Sequence, residues 1–256
     1  VIPPIPLELV ESVQSGDVVA FCGAGLSALG GLPTGSQLAR ALASRLDDFD
    51  GNPDDLTEVS TTYSALRGRH ALLSFLLDRV EHVPAAPTGT HRTLCGQPFA
   101  AFVSTNWDHF IEQSLSSLGI AHSVVVTDSE LPFVRSGSVP VLKIHGTLTR
   151  PDTIVVTDRD YYDLFSAQPG IASVLNGYFA TKTLLFLGYG LNDPDFKRLY
   201  YTLGRRFGPL QRRAYAIQLR PAATAVSVWR EQRLDVIDRD AKEFAAELAR
   251  ATGLPS

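Results

Sequence analysis

The sequence predicts an α/β fold in which a parallel sheet carries helices on both faces, and three observations lead there. Continuous apolar runs such as "DVVAFCG" (17–23) and "TLLFLGYG" (183–190) have the pattern of strands buried on both sides. Stretches with helical periodicity separate the runs, and alternation of this kind implies a parallel sheet. Several runs end directly in glycine or in a polar cluster, as strands do at the ligand-binding edge of open α/β sheets.

The elements follow in order. After the first strand, "GSQLARALASRL" (35–46) has helical spacing, with Ser36 as the expected N-cap. The acidic loop "DDFDGNPDD" (47–55) separates it from helical stretches at 57–67 and 69–81, with no strand between them. "VPAAPTG" (83–89) breaks the pattern, and "HRTLCGQP" (91–98) reads as a short helix and turn. This span, 35–98, is longer than a single crossover requires and is read as a helical insertion in one domain over residues 1–256. Strands are expected at "AAFVST" (100–105), "HSVVVT" (122–127), "VPVLKIH" (139–145) and "TIVVT" (153–157). Helical "SVLNGYFAT" (173–181) precedes the strand at 183, and "DPDFKRLYYTLGRRF" (193–207) the strand "RAYAIQL" (213–219). "LDVIDR" reads as a last short strand, and "AKEFAAELARATG" (241–253) as a closing helix stopped by glycine.

Composition narrows the function. At 256 residues, 45% apolar and 20% charged, the chain has ordinary globular usage. No apolar run reaches the roughly 18 residues that span a bilayer, so no membrane association is expected. The opening "VIPPIPLELV" lacks the basic flank and long apolar core of a secretory signal. A net charge of −4 argues against direct nucleic-acid binding. The basic cluster Arg205, Arg206, Arg212 and Arg213 is read as a solvated helix end and loop. Cys22 and Cys95 have no partners at metal-ligand spacing, and the six histidines form no HExxH or HxH pattern. No metal site is expected, and two thiols fit a reducing cytoplasm.

Four stretches carry candidate chemistry. In "FCGAGLSALGGLPTG" (21–35), Gly23, Gly25 and Ala28 match G-x-G-x-x-[G/A], the turn that brings backbone N–H groups to a pyrophosphate at a helix start, although glycines also serve any tight βα turn. Asp47 and Asp48, at the spacing of a ribose ligand, fall in a loop rather than at a strand end, so the dehydrogenase form of the motif fits poorly. "FVSTNWDHF" (102–110) presents Thr105, Asn106 and Asp108, of which capping explains only one. "VLKIHGTL" (141–148) delivers His145 at a strand end, either as a backbone-satisfied core residue or as a proton acceptor, with Gly146 leaving room for a ligand. "FLGYGLNDPDF" (186–196) ends a strand with Gly188 and Gly190 and opens a helix with Asn192, Asp193 and Asp195. All four endings belong at one edge of the sheet, where open α/β proteins bind nucleotides.

In this order and spacing, "GAGLS", "TNWD", "KIHG" and "GYGLNDPDF" resemble the SIR2 (sirtuin-like) superfamily, and within it the bacterial SIR2-like domains of anti-phage defence systems. "IVVTDRDYYDLF" (154–165) resembles that branch too, and the likeness covers about residues 15–207. The resemblance implies a Rossmann-like doubly wound core with NAD as substrate. It implies that Gly23, Ala24, Gly25 and Ser27 hold the diphosphate. It implies further that Asn106 and Asp108 lie by the nicotinamide ribose and carboxamide, with Thr105 among the cofactor-binding residues, that His145 is the general base, and that the turn of Gly188, Gly190, Asn192 and Asp193 approaches the adenosine side.

Two departures from sirtuin deacylases matter. Their four zinc-binding cysteines and small zinc domain are missing, and "GLPTGSQ" (31–37) stands where they carry a "GIPDFR"-like stretch. Protein deacylation is therefore disfavoured, whereas cleavage of NAD to nicotinamide and ADP-ribose needs only the cofactor pocket and water. A non-catalytic module that binds NAD or ADP-ribose is the alternative class, but it has no need of Asn106 and His145 together. A nuclease lacks its carboxylate cluster. By resemblance such domains work as homo-oligomers, fused to or paired with partners such as a HerA-type ring-shaped DNA translocase or an Argonaute-like protein.

Overall fold

Seven strands, β1 (Val18–Cys22), β2 (Ala101–Ser104), β3 (His122–Val125), β4 (Val139–Lys143), β5 (Thr183–Leu187), β6 (Ala214–Gln218) and β7 (Leu234–Asp238), form one sheet in the computed structural model, which describes residues 4–204 and 212–254. Their order is β3-β4-β2-β1-β5-β6-β7, and every neighbouring pair runs parallel. The chain builds outward from β1 on one side and then crosses to β5 on the other. The switch point therefore lies at the carboxyl end of β1, flanked by β2 and β5.

The helices are α1 (Leu7–Gln14), α2 (Ala24–Ala28), α3 (Gly35–Ala43), α4 (Leu56–Arg67), α5 (Arg69–Glu81), α6 (Gly89–Cys95), α7 (Phe110–Ser117), α8 (Asp158–Ala167), α9 (Pro169–Thr181), α10 (Pro194–Gly204), α11 (Ala223–Glu231) and α12 (Ala241–Thr252). Alternate strand residues face opposite ways, and helices pack on both faces, so the sheet is doubly wound. Val18, Ala20 and Cys22 of β1 pack with Leu9 of α1, Leu94 of α6, Leu115 of α7 and Phe244 of α12. Val19 and Phe21 pack instead with Phe179 of α9, Phe196 of α10 and Trp229 of α11. Side chains of this size contribute about 1.5–3 kcal/mol each when fully buried, and this double burial explains the unbroken apolar runs.

The helices between β1 and β2 divide in two. α6 lies against the sheet with α7 and α12. α3, α4 and α5 share a separate core of Ala39, Leu42, Val59, Leu72 and Leu76, which also takes in Ile154 and Val156. This helical layer stands over the carboxyl edge of the sheet and supplies the far wall of the site.

The structure corrects several expectations. "TIVVT" is not a strand, although Ile154 and Val156 are buried. Local turns and side chains satisfy its backbone in place of a ladder: Ile154 N donates to the Pro151 carbonyl at 3.2 Å and Val155 N to the His145 carbonyl at 3.1 Å. Asp160 accepts the N–H groups of Val156 and Thr157 at 3.0 and 2.9 Å, and Arg69 Nη2 donates to the Ile154 carbonyl at 2.5 Å. The N-cap of α3 is Thr34, not Ser36. Its hydroxyl accepts from Gln37 N at 3.3 Å, and the Thr34 N–H in turn donates to Gln37 Oε1 at 2.8 Å. α8 and α11 were not anticipated, α8 because it buries no residue completely. Arg212 and Arg213 are exposed, as expected of a solvated loop, and each is also paired, Arg212 with Asp17 and the Thr181 carbonyl and Arg213 with Asp235 at 2.8 Å. Arg205, Arg206, the expected helix beyond 204 and the side chain of Asp195 lie outside the described residues. Among the described residues no helix is long and apolar enough to cross a membrane.

Candidate functional site

The site begins where β1 and β5 end side by side. Gly23 N donates to the Leu187 carbonyl at 2.8 Å, and Gly25 N to the Gly188 carbonyl at 2.9 Å. A Cβ on Gly23 or Gly25 would stand 2.8 or 2.9 Å from the Gly188 oxygen. Gly188 itself has φ +75°, and a Cβ there would stand 2.3 Å from Leu26 N. These glycines are thus demanded by two turns packed on one another, and the N–H groups of Gly23 and Gly25 are already bonded within the protein.

The end of β2 locks onto this double turn. Asn106 Nδ2 donates to the Gly23 carbonyl at 3.0 Å and to Ser27 Oγ at 2.8 Å. Ser27 in turn donates to Asp108 Oδ2 at 2.6 Å, while Asp108 Oδ1 accepts the N–H of Phe110 at 2.9 Å and opens α7. Ser27, Asn106 and Asp108 are all buried. The Asn106 amide nitrogen is committed and each carboxylate oxygen of Asp108 already accepts one bond, so Asn106 Oδ1 is the acceptor of this trio with most capacity left. Thr105 bonds the Tyr189 hydroxyl at 3.2 Å, so the turns after β2 and β5 also meet.

His145 follows β4. It is 7% exposed, and its ring forms a T-shaped pair with Tyr161 of α8, with centroids 5.0 Å apart and planes at 90°. Burial, with a contribution from the Arg198 charge, lowers its pKa to about 3. The imidazole is therefore neutral at physiological pH and in its proton-accepting form, not poised near its ordinary value. Gly146 (φ +84°) faces the chain itself, since a Cβ there would lie 2.2 Å from the Thr153 carbonyl oxygen. The space it leaves is for the 151–153 turn and not for a ligand.

These pieces surround one cleft of about 460 Å³. Of the residues expected from sequence, Ala24, Gly25, Ser27, Thr105, Asn106, Asp108, His145, Gly188, Gly190 and Asp193 line it. Gly23 lies behind the lining, and Asn192 is exposed outside it. Sequence reasoning missed the opposite wall, Thr34, Ser36, Asp54 and Asp55 from the helical layer, together with Trp107, Tyr161 and Tyr189. Tyr189 was within reach, as the middle of "GYG". Burial pushes its hydroxyl pKa well up, so it acts here only as a neutral hydrogen-bonding group. A second cavity of about 650 Å³ opens beyond Tyr161, lined by Arg198, Phe165 and Leu199, and His145 borders both.

Cys22 and Cys95 are buried free thiols whose pKa values burial raises, that of Cys95 to about 12. Among the described residues no three His, Cys, Asp or Glu side chains are grouped to hold a metal ion.

A family model described as a SIR2-like domain matches residues 100–237. An NAD(+) hydrolase ThsA of Acinetobacter baumannii (strain 532279) is 31% identical over 82% of this chain and 44% of that protein. The defense-associated sirtuin 2 of Bacillus subtilis is 25% identical over 75% of this chain and 20% of that protein. The chain therefore spans less than half the length of these relatives. A solved Sir2 homologue in complex with NAD has the same fold, with a TM-score of 0.58 at 14% identity over 98% of this chain and 95% of that one.

Proposed function

This chain belongs to the SIR2-like domain family, and on that premise we propose that it is an NAD+ hydrolase that releases nicotinamide and ADP-ribose. One observation carries the reading. The Ser27–Asn106–Asp108 network and a neutral, buried His145 border the same cleft at the switch point of the sheet. The ThsA relative supports it by its activity.

The chemistry asked of the site is modest. The C1′–N bond of NAD breaks, nicotinamide leaves as a neutral molecule, and a C1′–O bond forms to water. His145 takes the proton of that water as it attacks. An anionic diphosphate bound nearby favours the imidazolium and so strengthens this base. Asn106 Oδ1, its amide nitrogen held by Gly23 and Ser27, accepts from the water or from a ribose hydroxyl. Asp108 sets a fixed negative charge beside the positive charge that develops on the ribose. Its oxygens are held by Ser27 and Phe110, so the charge needs no reorganisation during the reaction. Ala24, Ser27 and the end of β5 bind the remainder of the dinucleotide.

We read residues 1–256 as one SIR2-like domain in which α3, α4 and α5 of the 35–98 segment form an inserted layer, while α6 belongs to the sheet's own covering. It acts in the cytoplasm as the NAD-depleting part of a defence system, works as an oligomer, and has a basal activity of its own that another domain or partner protein raises. The test is incubation with NAD+ and chromatographic identification of products. Equimolar nicotinamide and ADP-ribose support the reading. Tight NAD+ binding without turnover would replace it with the ligand-sensing module, and absence of both would remove it.

A further inference from the structure

Lys143 interrupts the apolar run of β4 and is 1% exposed, which makes it one of the most deeply buried charged groups described. Its ammonium pairs with Glu112 Oε1 of α7 at 3.0 Å and also donates to the main-chain carbonyl of Asp108. His109 Nδ1 reaches the same Glu112 oxygen at 3.4 Å. Burial pushes the Glu112 carboxyl up, but the His109 hydrogen bond and the Lys143 charge hold it below the ordinary range.

A buried ion pair contributes little net stability, because desolvation offsets the attraction. Replacing such a pair by well-packed apolar residues is often neutral or stabilising, so stability alone does not account for the lysine. Its other partner is more informative. Asp108 stands in the loop that carries Asn106, and Lys143 stands two residues before His145 on a different strand. One ammonium thus joins the strand of the base to the loop of the ribose-facing residues. We propose that Lys143 is a positioning residue, fixing the Asn106–Asp108 loop against β4 so that Asn106 and His145 keep their separation across the cleft. The inference rests on the reading of the cleft as an NAD-cleaving site.

The test compares two variants made in a Glu112→Gln background, so that neither leaves a lone buried carboxylate. Lys143→Met fills the space without a donor, whereas Lys143→Gln keeps an N–H donor. A second readout uses Trp107, which lies in the same loop, through acrylamide quenching in a Trp229→Phe background. The Met form should show kcat about tenfold or more below the Gln form, as expected for a small misplacement of reacting groups, with KM alike within about twofold. Trp107 should be more readily quenched in the Met form than in the Gln form. Equal kcat values in two folded variants would overturn the proposal, and so would equal quenching, which is read even if the unaltered protein fails to cleave NAD+. Lack of turnover in the unaltered protein counts against the functional reading alone. If thermal melting shows the Met form unfolded while the Gln form folds, the lysine serves the fold and the proposal falls.

Discussion

Ser27 donates its hydroxyl hydrogen to Asp108 at 2.6 Å and accepts from Asn106 at 2.8 Å, joining the turn after β1 to the loop after β2 across 81 and 79 residues of sequence. Ser27→Ala would leave an Asp108 oxygen and an Asn106 N–H unpartnered in a buried setting. Such a loss costs about 1–3 kcal/mol. Urea denaturation should show a drop of that size, and NAD+ turnover should fall by about tenfold or more, since both partners lose their alignment.

Glycines in the turn after β5 should differ sharply in tolerance. Gly188 has φ +75° and no room for a Cβ, whereas the nearest atom to a Cβ on Gly190 is 3.8 Å away. Gly188→Ala should cost about 1–3 kcal/mol from the backbone alone, with the clash against Leu26 added to it. Gly190→Ala should melt within a few degrees of the unaltered protein. Thermal denaturation of the two variants side by side reads the difference.

Burial of His145 predicts an acid-sensitive fold. Its pKa is about 3 in the folded chain against an ordinary value of 6.5, so the unfolded chain binds the extra proton between those limits. The contribution is therefore fully present above about pH 6.5 and is lost as pH falls through that window. Denaturant titrations at about pH 6.5 and pH 5 should show the unaltered protein losing about 2 kcal/mol more than a His145→Asn variant. His91, whose pKa burial also lowers, is common to both proteins and cancels in the comparison.

The sheet was legible because strands buried on both faces leave unbroken apolar runs, and the β1, β2, β4 and β5 endings were legible because glycine and polar residues follow each run directly. "TIVVT" has the same composition as a strand, yet Asp160 and Arg69 take its backbone groups and its apolar side chains enter the helical layer. Local composition cannot distinguish these outcomes, because the deciding partners lie elsewhere in the chain. The same holds within the site. Asn106, Asp108 and His145 stand out by type and spacing. That Ser27 binds Asp108, that Tyr161 forms a T-shaped pair with His145, and that Lys143 grips the Asp108 carbonyl are tertiary facts with no local signal. Gly146 shows the converse error, a residue assigned to a ligand that serves the fold.

The most direct test of the central claim is the rate of nicotinamide release from NAD+ by the unaltered protein beside His145→Ala and Asn106→Ala, each first shown to be folded. The account predicts steady release with matching ADP-ribose from the unaltered protein, and a fall of about a hundredfold or more in each variant, the scale expected for loss of a general base or of its aligned partner. Release at an undiminished rate by both variants would contradict it.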